Sequence, residues 1–89
     1  MEFEWNELKG RGNISKHSVS FEEATEVFAD ELSLTLADPD RSEGEERFLI
    51  FGRSYRGKHL VVAFAERGAR LRIISARPMT RHERQAYEN

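Results

Sequence analysis

The sequence predicts an α+β fold: a short N-terminal strand, two helices packed on an antiparallel sheet meander, and a short C-terminal helix. Two observations carry that prediction. Helical spacing with capping residues is confined to the first third of the chain and to its end. Between them lie stretches rich in strand formers, the last three joined by turns so short that the strands must run antiparallel. Helices segregated in this way from a meander define the class. With 89 residues, the chain is expected to form a single domain, 1–89, with one modest core.

Phe3-Glu4-Trp5 alternates apolar and polar and opens the chain as a short strand. Asn6 then serves as a helix N-cap, with Glu7 in the first turn where the macrodipole favours it. The helix over about 7–16 is poor, because Gly10 and Gly12 each cost on the order of 1 kcal/mol against Ala. Leu8 and Ile14 are its large apolar residues, so packing must hold it. Ser20 and Glu23 match a capping box ahead of a second helix over about 21–29, with Val19 placed as a staple. Phe21, Ala24, Val27 and Phe28 share its inner face; Glu22, Glu23 and Glu26 are expected on the outer one.

Leu32 to Leu36 alternates cleanly, as a half-buried strand does, and Asp38 to Gly44 is a turn-rich loop. Arg47–Arg53 forms the next strand, and Leu60–Ala65 reads as a strand buried on both faces. Ala69–Ala76 is expected to be an internal strand, preceded by Gly68 and stopped by Pro78. Strict alternation puts Leu71, Ile73 and Ser75 on one face and Arg70, Arg72, Ile74 and Ala76 on the other. Arg77 falls opposite Arg72 unless the chain turns at Ala76. Thr80 and Glu83 then cap a helix over about 81–88, which presents Arg81, His82 and Arg84 and carries Tyr87 as its one large apolar residue.

Composition narrows the function. The chain has no cysteine, hence no disulfide, thiolate metal site or cysteine nucleophile. The opening residues have neither the basic region nor the apolar core of a signal peptide, and the longest apolar run is far too short to span a bilayer. The expectation is a cytoplasmic protein with no membrane partner. The net charge of −2 conceals a division: residues 1–46 carry 13 acidic and 4 basic side chains, residues 47–89 carry 3 and 10. Nine of those ten are arginine, the side chain that grips phosphate bidentately. The division points to a polyanionic partner, or to a basic sheet neutralised by the chain's own acidic helices.

No metal or cofactor motif is present. His17, His59 and His82 lack ligand spacing, and no glycine-rich phosphate loop occurs. The chemistry left is phosphodiester cleavage by the RNA's own 2′-hydroxyl, which needs a proton acceptor, charge stabilisation at phosphorus and a proton donor. Sheet arginines suit the charge-stabilising role. Arg70, Arg72 and Arg77, with Arg53 and His17, are expected to line a basic cleft. His17, Glu46, Glu66, Lys9 and Tyr87 are candidates for proton transfer, and each singly also fits an ordinary structural role.

Phe3-Glu4-Trp5-Asn6, Asn13-Ile14-Ser15-Lys16-His17-Ser18-Val19-Ser20-Phe21-Glu22-Glu23-Ala24, Glu45-Glu46-Arg47 with Gly52, and Arg72-Ile73-Ile74-Ser75-Ala76-Arg77 with Glu83 and Tyr87 resemble the signature of BrnT-type toxins. The resemblance implies a RelE-like fold and a ribonuclease that inhibits translation as the toxin of a type II toxin–antitoxin pair. It also implies a cognate DNA-binding antitoxin of BrnA type, in a hetero-oligomeric complex, that blocks the basic cleft with an acidic or tightly packed segment. On this basis His17, Glu46, Arg72, Arg77 and Tyr87 are the expected catalytic residues. Lys9, Lys16, Arg53, Arg70 and Arg81 are the expected RNA-binding ones, with no metal and no cofactor. Ser18 stands where the family usually has Gly, and Arg41 where His is common. The alternatives are a binding module that does not cut, or a toxin that poisons gyrase on the same fold.

Overall fold

The computed structural model describes residues 1–40 and 44–89; Arg41 and its two successors, part of the expected loop, lie outside the described residues. The elements are β1 (Glu2–Glu4), α1 (Glu7–His17), α2 (Phe21–Glu26) continued by a 3₁₀ turn (Val27–Ala29), β2 (Leu34–Ala37), β3 (Phe48–Arg53), β4 (His59–Arg67), β5 (Arg70–Pro78) and α3 (Arg81–Glu88). The sheet order is β1-β5-β4-β3-β2. Neighbouring strands from β2 to β5 are antiparallel, whereas β1 runs parallel to β5, with Phe3 opposite Leu71. β5 is thus internal, as the sequence predicts. Among the described residues, no helix is long and apolar enough to cross a membrane.

The core lies between the two N-terminal helices and one face of the sheet. Leu60, Val62 and Phe64 of β4 meet Ile50, Ile73 and Ala76 from its neighbours, and Val19, Phe21, Ala24 and Val27 from the helical layer. Aromatic rings close its rim: Phe28 packs edge-on against Phe64 at 5.0 Å, and Phe3 lies 5.1 Å from Phe28. Gly52 of β3 lies beneath the 3₁₀ turn, where a Cβ would stand 2.8 Å from Val27 Cγ1 and 3.0 Å from Asp30 Oδ2. Only glycine permits that approach.

α1 is not held as its sequence suggests. Leu8 is 74% exposed and Ile14 49%. The anchors are Gly10, buried beside Trp5 and Phe21, and Asn13. Asn13 Nδ2 donates to the Val19 and Ala76 carbonyls, both at 2.8 Å, and its Oδ1 accepts from the Ala76 amide at 3.1 Å. One amide thereby ties α1, the turn after it and β5 together. In that turn Ser18 adopts the left-handed conformation, φ 59°, and its amide donates to the Ile14 carbonyl at 2.8 Å. Serine therefore makes the turn that glycine would make, with backbone strain that glycine avoids.

Three expectations need correction. Ser20 accepts from the Glu23 amide at 3.0 Å, but Glu23 does not return the bond to form a full box. Glu23 is also not on the outer face: it is buried, accepts from Ser54 Oγ at 2.9 Å and lies 3.6 Å from Lys58 Nζ. β2 is exposed along its whole length rather than half-buried, because it is the sheet edge and α3 leaves it largely uncovered.

A fourth correction concerns the arginine strand. Ala63 pairs with Ser75 while its neighbour Phe64 pairs with Ile73, so Ile74 is an extra residue, a β-bulge. Alternation restarts one step later, which returns Ala76 to the core beside Ile73 and turns Arg77 to the face of Arg72. The chain shifts at Ile74, two residues earlier than a turn at Ala76.

Candidate nucleic-acid interface

The face of the sheet away from α1 and α2 collects the arginines. Arg53, Arg77, Arg72 and Arg70 pair with His59, Val61, Ala65 and Arg67 of β4, alternate residues that all point away from the core. Four of the expected residues therefore share one surface. Arg72 and Arg77 lie about 13 Å apart along it, from the four-residue spacing of their β4 partners. The floor between them is low: Val61, Ala63 and Ala65 are buried with small side chains.

Carboxylates occupy most of these guanidiniums. Arg77 makes a two-pronged bond to Glu83 of α3, at 2.8 and 2.9 Å. That bond holds the Glu83 carboxyl down at about 2, despite burial, and raises Arg77 further. Thr80 completes a true capping box with the same Glu83, so the helix start and the arginine are fixed together. Arg72 pairs with Glu45, and Arg70 with Glu2 at 3.2 Å and Glu4 at 3.6 Å.

Tyr87 anchors the other end of α3. Its hydroxyl donates to Asp30 Oδ2 at 2.5 Å, and its ring meets His59 edge-on at 5.7 Å. Burial and the Asp30 carboxylate push the Tyr87 phenol up to about 12. Burial opposes ionisation of Asp30, yet the Tyr87 hydroxyl, the Leu32 and Arg53 amides and the Arg53 charge together hold its carboxyl below the usual value. Tyr87 thus stands as a bonded phenol, strongly disposed to keep its proton.

The remaining expected residues divide. His17 lines a cleft of about 440 Å³ at the end of the sheet, together with Lys58, His59, Pro78 and Arg84. His59 is held below its ordinary value by burial and by Arg84, against Glu88, whose Oε2 lies 3.4 Å from its Nε2. Arg81 is exposed at the start of α3. Glu46 is exposed at the opposite end of the sheet, by Glu66 and Arg67. Lys9 and Lys16 are exposed on α1, in the helical layer behind the sheet.

Sequence reasoning did not select His59, Asp30, Glu45 or Glu83 as site residues. His59 had a usable signal: it begins the most apolar strand, and pairs with an arginine-bearing end of β3. Asp30 had none, since its partner Tyr87 is 57 residues away.

The solved structure of the Brucella abortus ribonuclease toxin BrnT has the same fold. The two superimpose with a TM-score of 0.67 over 91% of this chain and 99% of that one, at 23% sequence identity. No curated protein matches in sequence. Residues 5–83, spanning both helical segments, the bulged arginine strand and the Thr80–Glu83 cap, match the family model described as the ribonuclease toxin, BrnT, of type II toxin–antitoxin systems. The chain belongs to that family.

Proposed function

We propose that this chain is a metal-independent endoribonuclease, a single toxin domain that cuts RNA in the cytoplasm and so stops translation, until a BrnA-type antitoxin binds it. The observation that supports this most is the bulge at Ile74, which aligns Arg72 and Arg77 on one rigid face with Arg53. A phosphate presents the same two-oxygen edge as a carboxylate, so RNA replaces Glu83 at Arg77 and Glu45 at Arg72.

In the reaction, the ribose 2′-oxygen loses its proton to a base and attacks phosphorus. The bond to the 5′-oxygen breaks, that oxygen takes a proton, and a cyclic phosphate remains. Arginines stabilise the charge that develops on the phosphoryl oxygens. His17 and His59 share the cleft beside Lys58 and Arg84, and an imidazole can both accept and donate a proton.

Induced expression in bacteria tests the reading, with total RNA, translation and DNA supercoiling followed together. Fragmented RNA with arrested translation is the expected result. Intact RNA with blocked supercoiling would identify a gyrase poison instead, and unaffected growth a binding module.

A further inference from the structure

Among the described residues, β2 leaves one edge of the sheet open, and its ladder chemistry can be read residue by residue. The Asp38 amide donates to the Arg47 carbonyl at 2.8 Å, continuing the register in which Leu36 faces Leu49 and Leu34 faces Phe51. Hydrogen-bonded and non-bonded pairs alternate in an antiparallel ladder. Leu36 and Leu34 therefore bond to β3, while the amides and carbonyls of Thr35 and Ala37 point outward from the edge.

The side chains beside that edge are apolar. Leu34 and Leu36 are 50% and 58% exposed, and with Phe51 they border a groove of about 180 Å³ whose other wall is Ala86 and Tyr87 of α3. Two free amides, two free carbonyls and an adjoining apolar groove are what an added strand requires. We infer that β2 receives an extended segment of the antitoxin, apolar at alternate positions and basic at both ends, which adds a strand to this sheet. The inference rests on the reading of the chain as a toxin with a protein antitoxin.

Charge decides the occupant. Glu31 precedes β2, and Asp38 and Asp40 follow it, the last exposed beyond the strand. Among the described residues, the cations opposite β2 are Arg47, just before β3, and Arg53 at its end. A second copy of β2 pairing antiparallel must join Thr35 or Ala37 to the same residues of its mate. Thr35 opposite Thr35 pairs Leu34 with Leu36 and brings Asp38 to the turn residue Leu32. Thr35 opposite Ala37 sets Leu34 against Asp38, and Ala37 opposite Ala37 sets Leu36 against Asp38. Each register sets Asp38 against a leucine and brings Glu31 of one copy towards Asp38 and Asp40 of the other, which like-charge repulsion disfavours. A foreign strand with basic flanks meets no such conflict. Bound there, it lies along the wall of α3 that carries Glu83, beside the arginine face.

The test uses the full chain and its purified cognate antitoxin. Thr35→Pro removes an outward amide and no bond to β3, and proline is tolerated at such edge positions. Thr35→Pro and the double variant Leu34→Ser, Leu36→Ser should each weaken the complex by roughly tenfold or more, leaving RNA binding by the free chain unchanged. Amide exchange at Thr35 and Ala37 should slow in the wild-type complex. Wild-type affinity in both variants, or unprotected amides, overturns the edge inference alone. Absence of any wild-type complex overturns the antitoxin reading and this inference with it. Dimerisation of the free chain that Thr35→Pro abolishes assigns the edge to a second copy and also overturns it.

Discussion

Asn13 is the residue on which the most backbone depends. It satisfies the amide and carbonyl of Ala76 and the carbonyl of Val19, all in the buried seam between α1 and β5. Asn13→Leu fills the space but strands three polar groups, so unfolding experiments should show a loss of about 3 kcal/mol. Ser18 gives the opposite sign. At φ 59°, glycine relieves a clash that serine tolerates, and Ser18→Gly should stabilise the fold by about 1 kcal/mol in denaturant titrations. The two roles are not equally visible in the sequence. The Ser18 turn follows from its place after a helix end, whereas Asn13 is an ordinary polar residue until β5, 63 residues away, is brought to it.

α3 is held by two bonded groups whose ionisation runs in opposite directions. Glu83 has its folded value lowered from an ordinary 4.5 to about 2 by Arg77, so its contribution is complete above 4.5 and is lost as pH falls towards 2. Tyr87 has its folded value raised from 10 to about 12, so its contribution is complete below 10 and is lost as pH rises through 12. The protection of the α3 amides, taken relative to their intrinsic exchange rate at each pH, should therefore be greatest between these limits and fall beyond either. Glu83→Gln removes the carboxylate that competes with phosphate at Arg77. That variant should bind RNA more tightly while its α3 amides exchange faster; unchanged RNA affinity would mean that Glu83 does not occupy the RNA site.

The elements themselves were largely legible, because caps, turns and apolar periods are local signals. Asn6, Ser20 and Thr80 each start a helix where the sequence places it. What escaped is what only the sheet creates. Ile74 suits a strand well as a residue type, so nothing local marks it as the bulge. The clean alternation of Leu32 to Leu36 reads as half-buried only if a layer covers that edge, and none does among the described residues. The arginines were legible as a group and the carboxylates that hold them were not, since Glu45 and Glu83 reach theirs through tertiary packing.

Across the whole molecule, the acidic half of the sequence both borders the sheet edge and meets the basic half on the arginine face. Acidic residues border the β2 edge and pair with the arginine strand, and the basic half supplies the outward face of β3, β4 and β5. If that face carries RNA, Arg72→Ala should lower affinity for RNA of every sequence and reduce the salt dependence by about one phosphate contact. A residue engaged only by Glu45 would leave both unchanged once folding is confirmed.

The central claim is that Arg72 and Arg77, brought to one face by the bulge, serve RNA cleavage without a metal ion. The most direct measurement incubates purified chain with RNA in excess EDTA, beside the folded double variant Arg72→Ala, Arg77→Ala. Fragments ending in cyclic phosphate from the wild-type chain, and intact RNA with the variant, are the expected result. Intact RNA from both, cleavage that needs a divalent metal, or equal cleavage by the variant would contradict it.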